Sequence, residues 1–426
     1  MKNLTKYFVL TVLVSFFATG FFLSGKDNLD NNSPNSGINN KKELPEVITL
    51  EKNELGKYVP ISGNVGELKN FFESLKETNT KKIRVIHYGD SQIQADIITE
   101  FIRENLQKMY GGKGAGYLSI VSNDIKMRMT TEHSFSDDWN FASIITRNPD
   151  RLPFGVSGSV AIPKPGSWVN YKCMPYLEST SMFEIAKLYY SGADESSTIK
   201  YSINNGPAVT ATLEKGEHVH QLIIDGKTIG NELRITFVSG KEPYFYGVSL
   251  ETGNGIYVDN FPMPGNTGAS LLEIPSNVLS DFNSLSDYRL VILSYGNNVS
   301  SPNRGIFTVY QNKMLQVIKH LRTAFPKASF LMFSVNDKTV KHNNRFVTNP
   351  DVPMLLDTQK KIVNKTKVAF WNLWEAMGGT NSMNEWVNAA PPMALKDFSH
   401  FTQEGGHRVA DLFVKALTDA KSSYGK

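Results

Sequence analysis

Two hydrophobic periods alternate along this chain. Leu68, Phe71, Phe72 and Leu75 fall on one helical face and predict an amphipathic helix over 65–77. The run Ile83-Arg84-Val85-Ile86-His87-Tyr88 reads as a buried strand that stops at Gly89. From Ala95 onward, Ile97, Ile98, Phe101, Ile102 and Leu106 return at helical spacing. Strand, tight Gly89-Asp90-Ser91 turn and helix therefore follow one another.

Between 124 and 254 the period drops to two. Segments 167–173, 182–190, 198–203, 208–213, 218–224, 232–238 and 244–250 alternate apolar with polar residues. Leu233, Ile235 and Phe237 share one strand face, and Asn204-Asn205-Gly206-Pro207 is a hairpin signal. Many short strands without helices predict an antiparallel β-sandwich. From 255 the first texture returns, with strands at 288–294, 328–335 and 366–373 and helices at 306–325 and 404–422. The chain thus divides into an α/β domain, 63–123 and 255–426, interrupted by an inserted sandwich at 124–254. Its α/β part should hold a mostly parallel sheet covered on both faces, with ligands at the carboxyl ends of its strands.

Composition narrows the function classes. The 426 residues are 40% hydrophobic and 20% charged, with a formal net charge of +4 and no dense basic cluster, so a nucleic-acid partner is not indicated. The single cysteine, Cys173, excludes an intrachain disulfide framework. Lys2 and Lys6 precede an apolar run over 8–23, which predicts a signal peptide or membrane anchor at 1–25. A polar linker at 26–62 follows, and the two together predict a secreted, periplasmic or envelope location, with a membrane tether if the segment is retained. The glycine-rich stretch 110–117 follows a helix and lacks a Gly-Lys-Ser/Thr ending, so it does not read as a phosphate cradle.

Candidate chemistry begins at Ser91, lifted clear of the sheet edge by its turn. Its best partners are Asp397 and His400, three residues apart just before the last helix. A serine nucleophile needs a base within hydrogen-bond reach and an acceptor that fixes the base's tautomer. Acyl transfer also needs donors for the oxyanion. The loop Pro264-Gly265-Asn266-Thr267-Gly268 offers a backbone N–H, and Gly296-Asn297-Asn298, after a strand, offers an amide from either asparagine.

Together these four blocks resemble the SGNH/GDSL hydrolase superfamily. Gly89-Asp90-Ser91 matches its first block, Gly265-Asn266-Thr267 its second, Gly296-Asn297-Asn298-Val299 its third and Asp397-Phe398-Ser399-His400 its fourth. Val299 departs from the acidic residue usual there. The stretches Gln92-Ile93-Gln94-Ala95-Asp96 and 369–379 narrow the likeness to secreted bacterial carbohydrate and peptidoglycan O-acetylesterases. The resemblance implies a three-layer, flavodoxin-like fold and a Ser91-His400-Asp397 acyl-enzyme mechanism. It places the oxyanion on Ser91, Gly265 and Asn298, with no metal or organic cofactor and an acetylated glycan or peptidoglycan as substrate. An O-acetyltransferase with a membrane partner and an inert glycan-binding protein are the alternatives. Trp371, Trp374, Met377 and Trp386 are candidates for the cleft wall or the core. Trp139, Trp168, Tyr171, Tyr189, Tyr190, Tyr244 and Tyr246 are candidates for sugar stacking or sandwich core. His218 and His220 share a strand face but show no third metal ligand.

Overall fold

Six strands make the central sheet of the computed structural model, which describes residues 55–300 and 303–424. In chain order they are β1 (Ser62–Gly63), β2 (Lys82–Gly89), β3 (Gly255–Pro262), β4 (Tyr288–Ser294), β5 (Ser329–Phe333) and β6 (Ala369–Trp371). They lie in the order β1-β6-β5-β4-β2-β3, parallel throughout except for β1 against β6. Leaving out the short β1, this is the flavodoxin-like order, and the strand order reverses between β2 and β4.

Eight helices accompany these strands among the described residues: α1 (Lys69–Ser74), α2 (Thr99–Tyr110), α3 (Ser276–Ser286), α4 (Ile306–Ala324), α5 (Asp351–Thr366), α6 (Leu373–Met377), α7 (Ser382–Val387) and α8 (Gln403–Tyr424). Strand side chains alternate between two cores. Val85, Ile292, Leu331 and Phe333 pack with α1, α2 and α8, whereas Ile86, Val291, Phe330 and Met332 pack with α3, α4 and α5. A strand buried on both faces is apolar at most positions, which is why these runs show little polar alternation, and the polar exceptions such as Arg84 and His87 are buried with partners.

Between α2 and β3 the chain builds two antiparallel sheets. One holds Thr131–Phe135, Trp168–Cys173, Thr198–Ile203, Val209–Thr212 and Glu232–Ser239. The other holds Asn140–Ser143, Ser159–Ile162, Phe183–Ser191, His220–Gly230 and Tyr244–Glu251, with Gly116–Ser119 paired to the last. They share a core in which Tyr171, Leu233 and Ile235 of the first meet Leu188, Tyr190 and Val248 of the second. Arg84 of β2 ties this region to the parallel sheet. Its guanidinium bonds Glu251 at 2.5 Å and Asp259 at 2.8 Å, and Lys82 and Lys187 also reach Glu251. Burial alone would raise the Glu251 carboxyl, but the three cations hold it well below the ordinary value.

Several expectations change here. Residues 55–62, read as linker, pack into the fold: Val59 and Ile61 are buried, and the Val59 carbonyl accepts from Trp371 Nε1 at 3.1 Å. Leu55, Tyr58, Val59 and Ile61 sustain neither a helical nor a strand period, so they gave no signal of this. The segment 1–25 lies outside the described residues. The helix expected from Ala95 begins at Thr99, because Ala95 and Asp96 take left-handed backbone angles (φ 57° and 66°). Between Ser91 and Asp96 runs a kinked 3-10 turn, so no α-helix N-terminus follows Ser91 directly. The antiparallel strands start at Gly116, earlier than 124, and four of them, between 116 and 162, carry too short an alternation to be seen. A hairpin, Thr339–His342 with Arg345–Thr348, was also hidden. Trp371, Trp386 and Met377 are core residues at 0–1% exposure, and only Trp374 is half-buried. Tyr171, Tyr189, Tyr190 and Tyr246 are likewise buried core residues. His218 faces Asp281 and His220 faces Glu214, and the described residues contain no cluster of three metal-ligating side chains.

Candidate active site

Ser91 follows the carboxyl end of β2, at the point where the sheet order reverses. Its Oγ lies 2.8 Å from His400 Nε2, and His400 Nδ1 lies 2.7 Å from Asp397 Oδ2. With Nδ1–H donated to the carboxylate, Nε2 keeps a lone pair to accept the serine proton. The hydrogen bond that His400 donates to Asp397 is the main reason the imidazole is raised above its usual 6.5, against the opposing effect of burial. Burial pushes the Asp397 carboxyl upward, but hydrogen bonds from the His400 ring and the His400 and Ser399 N–H groups outweigh it and hold it low.

The Ser91 turn is anchored from beneath. Asp90 caps it by accepting the Gln92 N–H at 3.0 Å, and burial lifts this carboxyl to about 6. A directional chain of buried bonds then reaches the turn from the sheet. Asn260 Nδ2 donates to the Ile93 carbonyl (2.9 Å), and Asn260 Oδ1 accepts from Thr99 (2.9 Å). Thr99 in turn meets His87 Nδ1, whose Nε2 meets Ser294, both at 2.8 Å. Burial drops His87 to about 3, so it stays neutral and serves as a fixed relay in the scaffold. Asp96 takes a two-pronged bond from Arg103 at 2.7 and 3.1 Å, and the Ala95 N–H donates to Asp124, which also pairs with Arg128. These contacts hold the two left-handed residues that bend the turn. Glu100, in the same cluster, is raised to about 8 by burial first and the Asp96 charge second.

His400 approaches from α8. A Cβ on Gly406 would lie 1.9 Å from the Ile97 carbonyl, and one on Gly405 would lie 1.8 Å from the Met393 carbonyl. Only glycine lets α8 come this close to the nucleophile turn. Gln92 Nε2 and Asn336 Nδ2 both donate to the Ser399 carbonyl, at 3.1 and 2.9 Å, tying the two loops together. Sequence reading missed Asn336. Its signal was its place just after an apolar strand in a sheet whose carboxyl edge carries the site.

Gly265 has φ 76°, and a Cβ there would meet no atom within 4 Å, so its backbone borders open space. Asn298 is exposed and donates one amide hydrogen to the Asn266 carbonyl at 3.1 Å, which puts it on the Gly265 loop. Its second amide hydrogen is left over. The Asn297 backbone carbonyl accepts from Lys338 Nζ at 2.8 Å, and its N–H and side-chain amide lie toward Asp90. Over the base loop lies the hidden hairpin. Phe346 stacks on Phe398 at 4.0 Å between ring centres, and the Thr339 N–H donates to the Phe398 carbonyl. Phe398 is itself left-handed, at φ 57°.

No protein-family model matches the chain, and no curated protein is similar to it in sequence. Solved structures are similar in fold. A peptidoglycan O-acetylesterase is 21% identical, covering 85% of this chain and 98% of its own, with a TM-score of 0.67. A family two carbohydrate esterase from Cellvibrio japonicus is 9% identical over 69% of this chain and 98% of its own, with a TM-score of 0.27. A GDSL-like lipase from Parabacteroides merdae is 14% identical over 38% and 73%, with a TM-score of 0.30. The fold likeness rests on the first of these.

Proposed function

We propose that this chain is a serine esterase that removes O-acetyl groups from a glycan outside the cytoplasm. The observation that carries this reading is the Ser91–His400–Asp397 relay, at 2.8 and 2.7 Å, at the carboxyl edge of a flavodoxin-like sheet. The fold shared with a peptidoglycan O-acetylesterase supports the ester class and suggests peptidoglycan or a related polysaccharide as substrate. The apolar run over 8–23 supports export.

In this mechanism Ser91 Oγ attacks the acetyl carbonyl while His400 Nε2 takes its proton. The resulting imidazolium is stabilised by Asp397, and His400 returns the proton to the leaving sugar hydroxyl. The Ser91 and Gly265 N–H groups and the free Asn298 amide hydrogen receive the oxyanion. Asn298 is favoured over Asn297 because its amide is held on the Gly265 loop through the Asn266 carbonyl. Water then resolves the acetyl-enzyme by the same proton route.

The test is release of acetate from O-acetylated peptidoglycan, acetylated xylan and p-nitrophenyl acetate by the purified chain. Ser91→Ala should abolish release on every substrate that the wild type turns over. Undiminished release by that variant would sink the assignment. Acetate appearing on an added sugar acceptor instead of in solution would mark the chain as a transferase.

A further inference from the structure

A cavity of about 170 Å³ opens where the antiparallel sheets meet the carboxyl edge of the parallel sheet. Gln94 of the nucleophile turn and Pro264, which precedes Gly265, line one side. Phe141, Ser157 and Ser159 line the other. The cavity therefore touches both loops assigned to catalysis, yet no group of the relay lines it.

Its chemistry is specific. Three hydroxyls close a ring: Ser119 to Ser157 at 3.2 Å, Ser157 to Ser159 at 2.8 Å and Ser159 to Ser119 at 3.2 Å. Tyr117, only 2% exposed, turns its hydroxyl toward Ser157 but makes no hydrogen bond of good geometry. A buried hydroxyl left this way is commonly explained by a missing water or ligand. Arg128 reaches the wall too, but it pairs with Asp124 at 2.7 Å and lies 3.6 Å from Asp96, so the wall offers an anion no free cation. Phe141 is half-buried at the wall, and Ile145, 55% exposed, lies at the rim.

Hydroxyls that both donate and accept, an aromatic flank and balanced charge together match one kind of ligand. A neutral pyranose offers hydroxyls of the same dual character and apolar C–H faces for an aromatic ring. A fatty acyl chain would strand the hydroxyls, and a carboxylate would meet Asp124. We propose that this cavity is a sugar subsite. It would hold a neutral pyranose unit next to the acetylated one, which makes the antiparallel sheets part of substrate selection. The assignment of the neighbouring unit rests on the esterase reading of Ser91.

Two variants test it in the full chain. Ile145→Trp fills the mouth from an exposed position that does not threaten folding, and Ser157→Val breaks the hydroxyl ring. On an O-acetylated tetrasaccharide each should lose about tenfold in kcat/KM, through KM, the size expected when a sugar hydroxyl loses its partners. p-Nitrophenyl acetate turnover should stay within about twofold. Equal losses on both substrates, or an unchanged KM on the tetrasaccharide, would overturn the proposal. Calorimetry with the Ser91→Ala protein separates the two readings. Xylotetraose or N-acetylchitotetraose should bind, and adding Ile145→Trp should abolish binding. If the wild type hydrolyses no ester while this pattern holds, the esterase reading fails and the subsite stands. If neither neutral sugar binds, or an oligouronate binds better, the subsite falls.

Discussion

The two loops that meet at Ser91 and His400 are held in opposite ways. The Ser91 turn depends on partners outside itself: Asp124 on the Ala95 N–H, Asn260 on the Ile93 carbonyl, and Arg103, seven residues on, in a fully buried pair with Asp96. The Asp397–His400 loop also takes contacts from Gln92, Asn336 and Thr339, but its carboxylate–imidazole contact is local. One carboxylate accepts from two backbone N–H groups and the ring within four residues, and both the Asp397 and His400 side chains are partly exposed. A turn that bends through left-handed Ala95 and Asp96 needs a rigid bed, whereas the His400 loop must only present one nitrogen. The first loop should therefore fail together with the fold, and the second should fail in chemistry alone.

The largest expected effect falls on the base loop. Asp397→Asn should lower kcat by about 10⁴-fold, since it disfavours the tautomer that accepts the serine proton. Its unfolding free energy should stay within about 1 kcal/mol of wild type, because an exposed ion pair contributes little. A parallel fall in urea-melt stability would erase the contrast between the loops. Asn298→Ala should cost about 10²–10³ in kcat, the usual price of one oxyanion donor, while Asn297→Ala should act through the Asp90 turn and affect stability as well. Kinetics and melts on both variants would decide which asparagine is the donor.

Arg103→Met tests the other loop. It leaves Asp96 buried without its closest partner and should cost about 3–5 kcal/mol of stability by chemical denaturation, with activity lost only as the fold is lost. A stable but inactive variant would show that the pair acts on chemistry directly. The pH profile is a gentler probe. Because Asp397 raises His400, kcat/KM should increase with pH through a midpoint above 6.5, since the base works only when neutral. In Asp397→Asn the raising contact is gone, so the residual activity should show a lower midpoint. The smallest effect is expected from Phe346→Ala. The lost stack on Phe398 amounts to about 0.5–1.5 kcal/mol and should lower kcat by no more than about tenfold, with KM unchanged. A change confined to KM would make the hairpin a substrate contact instead.

Much of the architecture was legible because buried strands and amphipathic helices write their period into neighbouring residues. The runs around Val85, Ile292 and Leu331 announced the parallel sheet, and Leu233, Ile235 and Phe237 announced an antiparallel one. The relay was legible for a related reason: Asp397 and His400 interact across a single turn, so their spacing is itself the geometry. Local order of this kind is a property of sequence alone.

Tertiary structure decided the rest. The placement of Asn298 on the Gly265 loop depends on Asn266, which only folding brings near. Trp371 and Trp386 turned out to be core because their faces meet Phe413 and Phe401, distant in the chain. Gly405 and Gly406 acquire a reason only when α8 descends onto the Met393 and Ile97 carbonyls. The cavity at the seam gathers Gln94, Tyr117, Phe141, Ser157 and Pro264 from segments that no periodicity connects. Sequence determined the elements and the Asp397–His400 spacing, since hydrophobic period and short-range spacing are local. The pairing of loops, the choice between adjacent donors and the shape of the cleft are sums of long-range contacts, and these exist only once the sheet has formed.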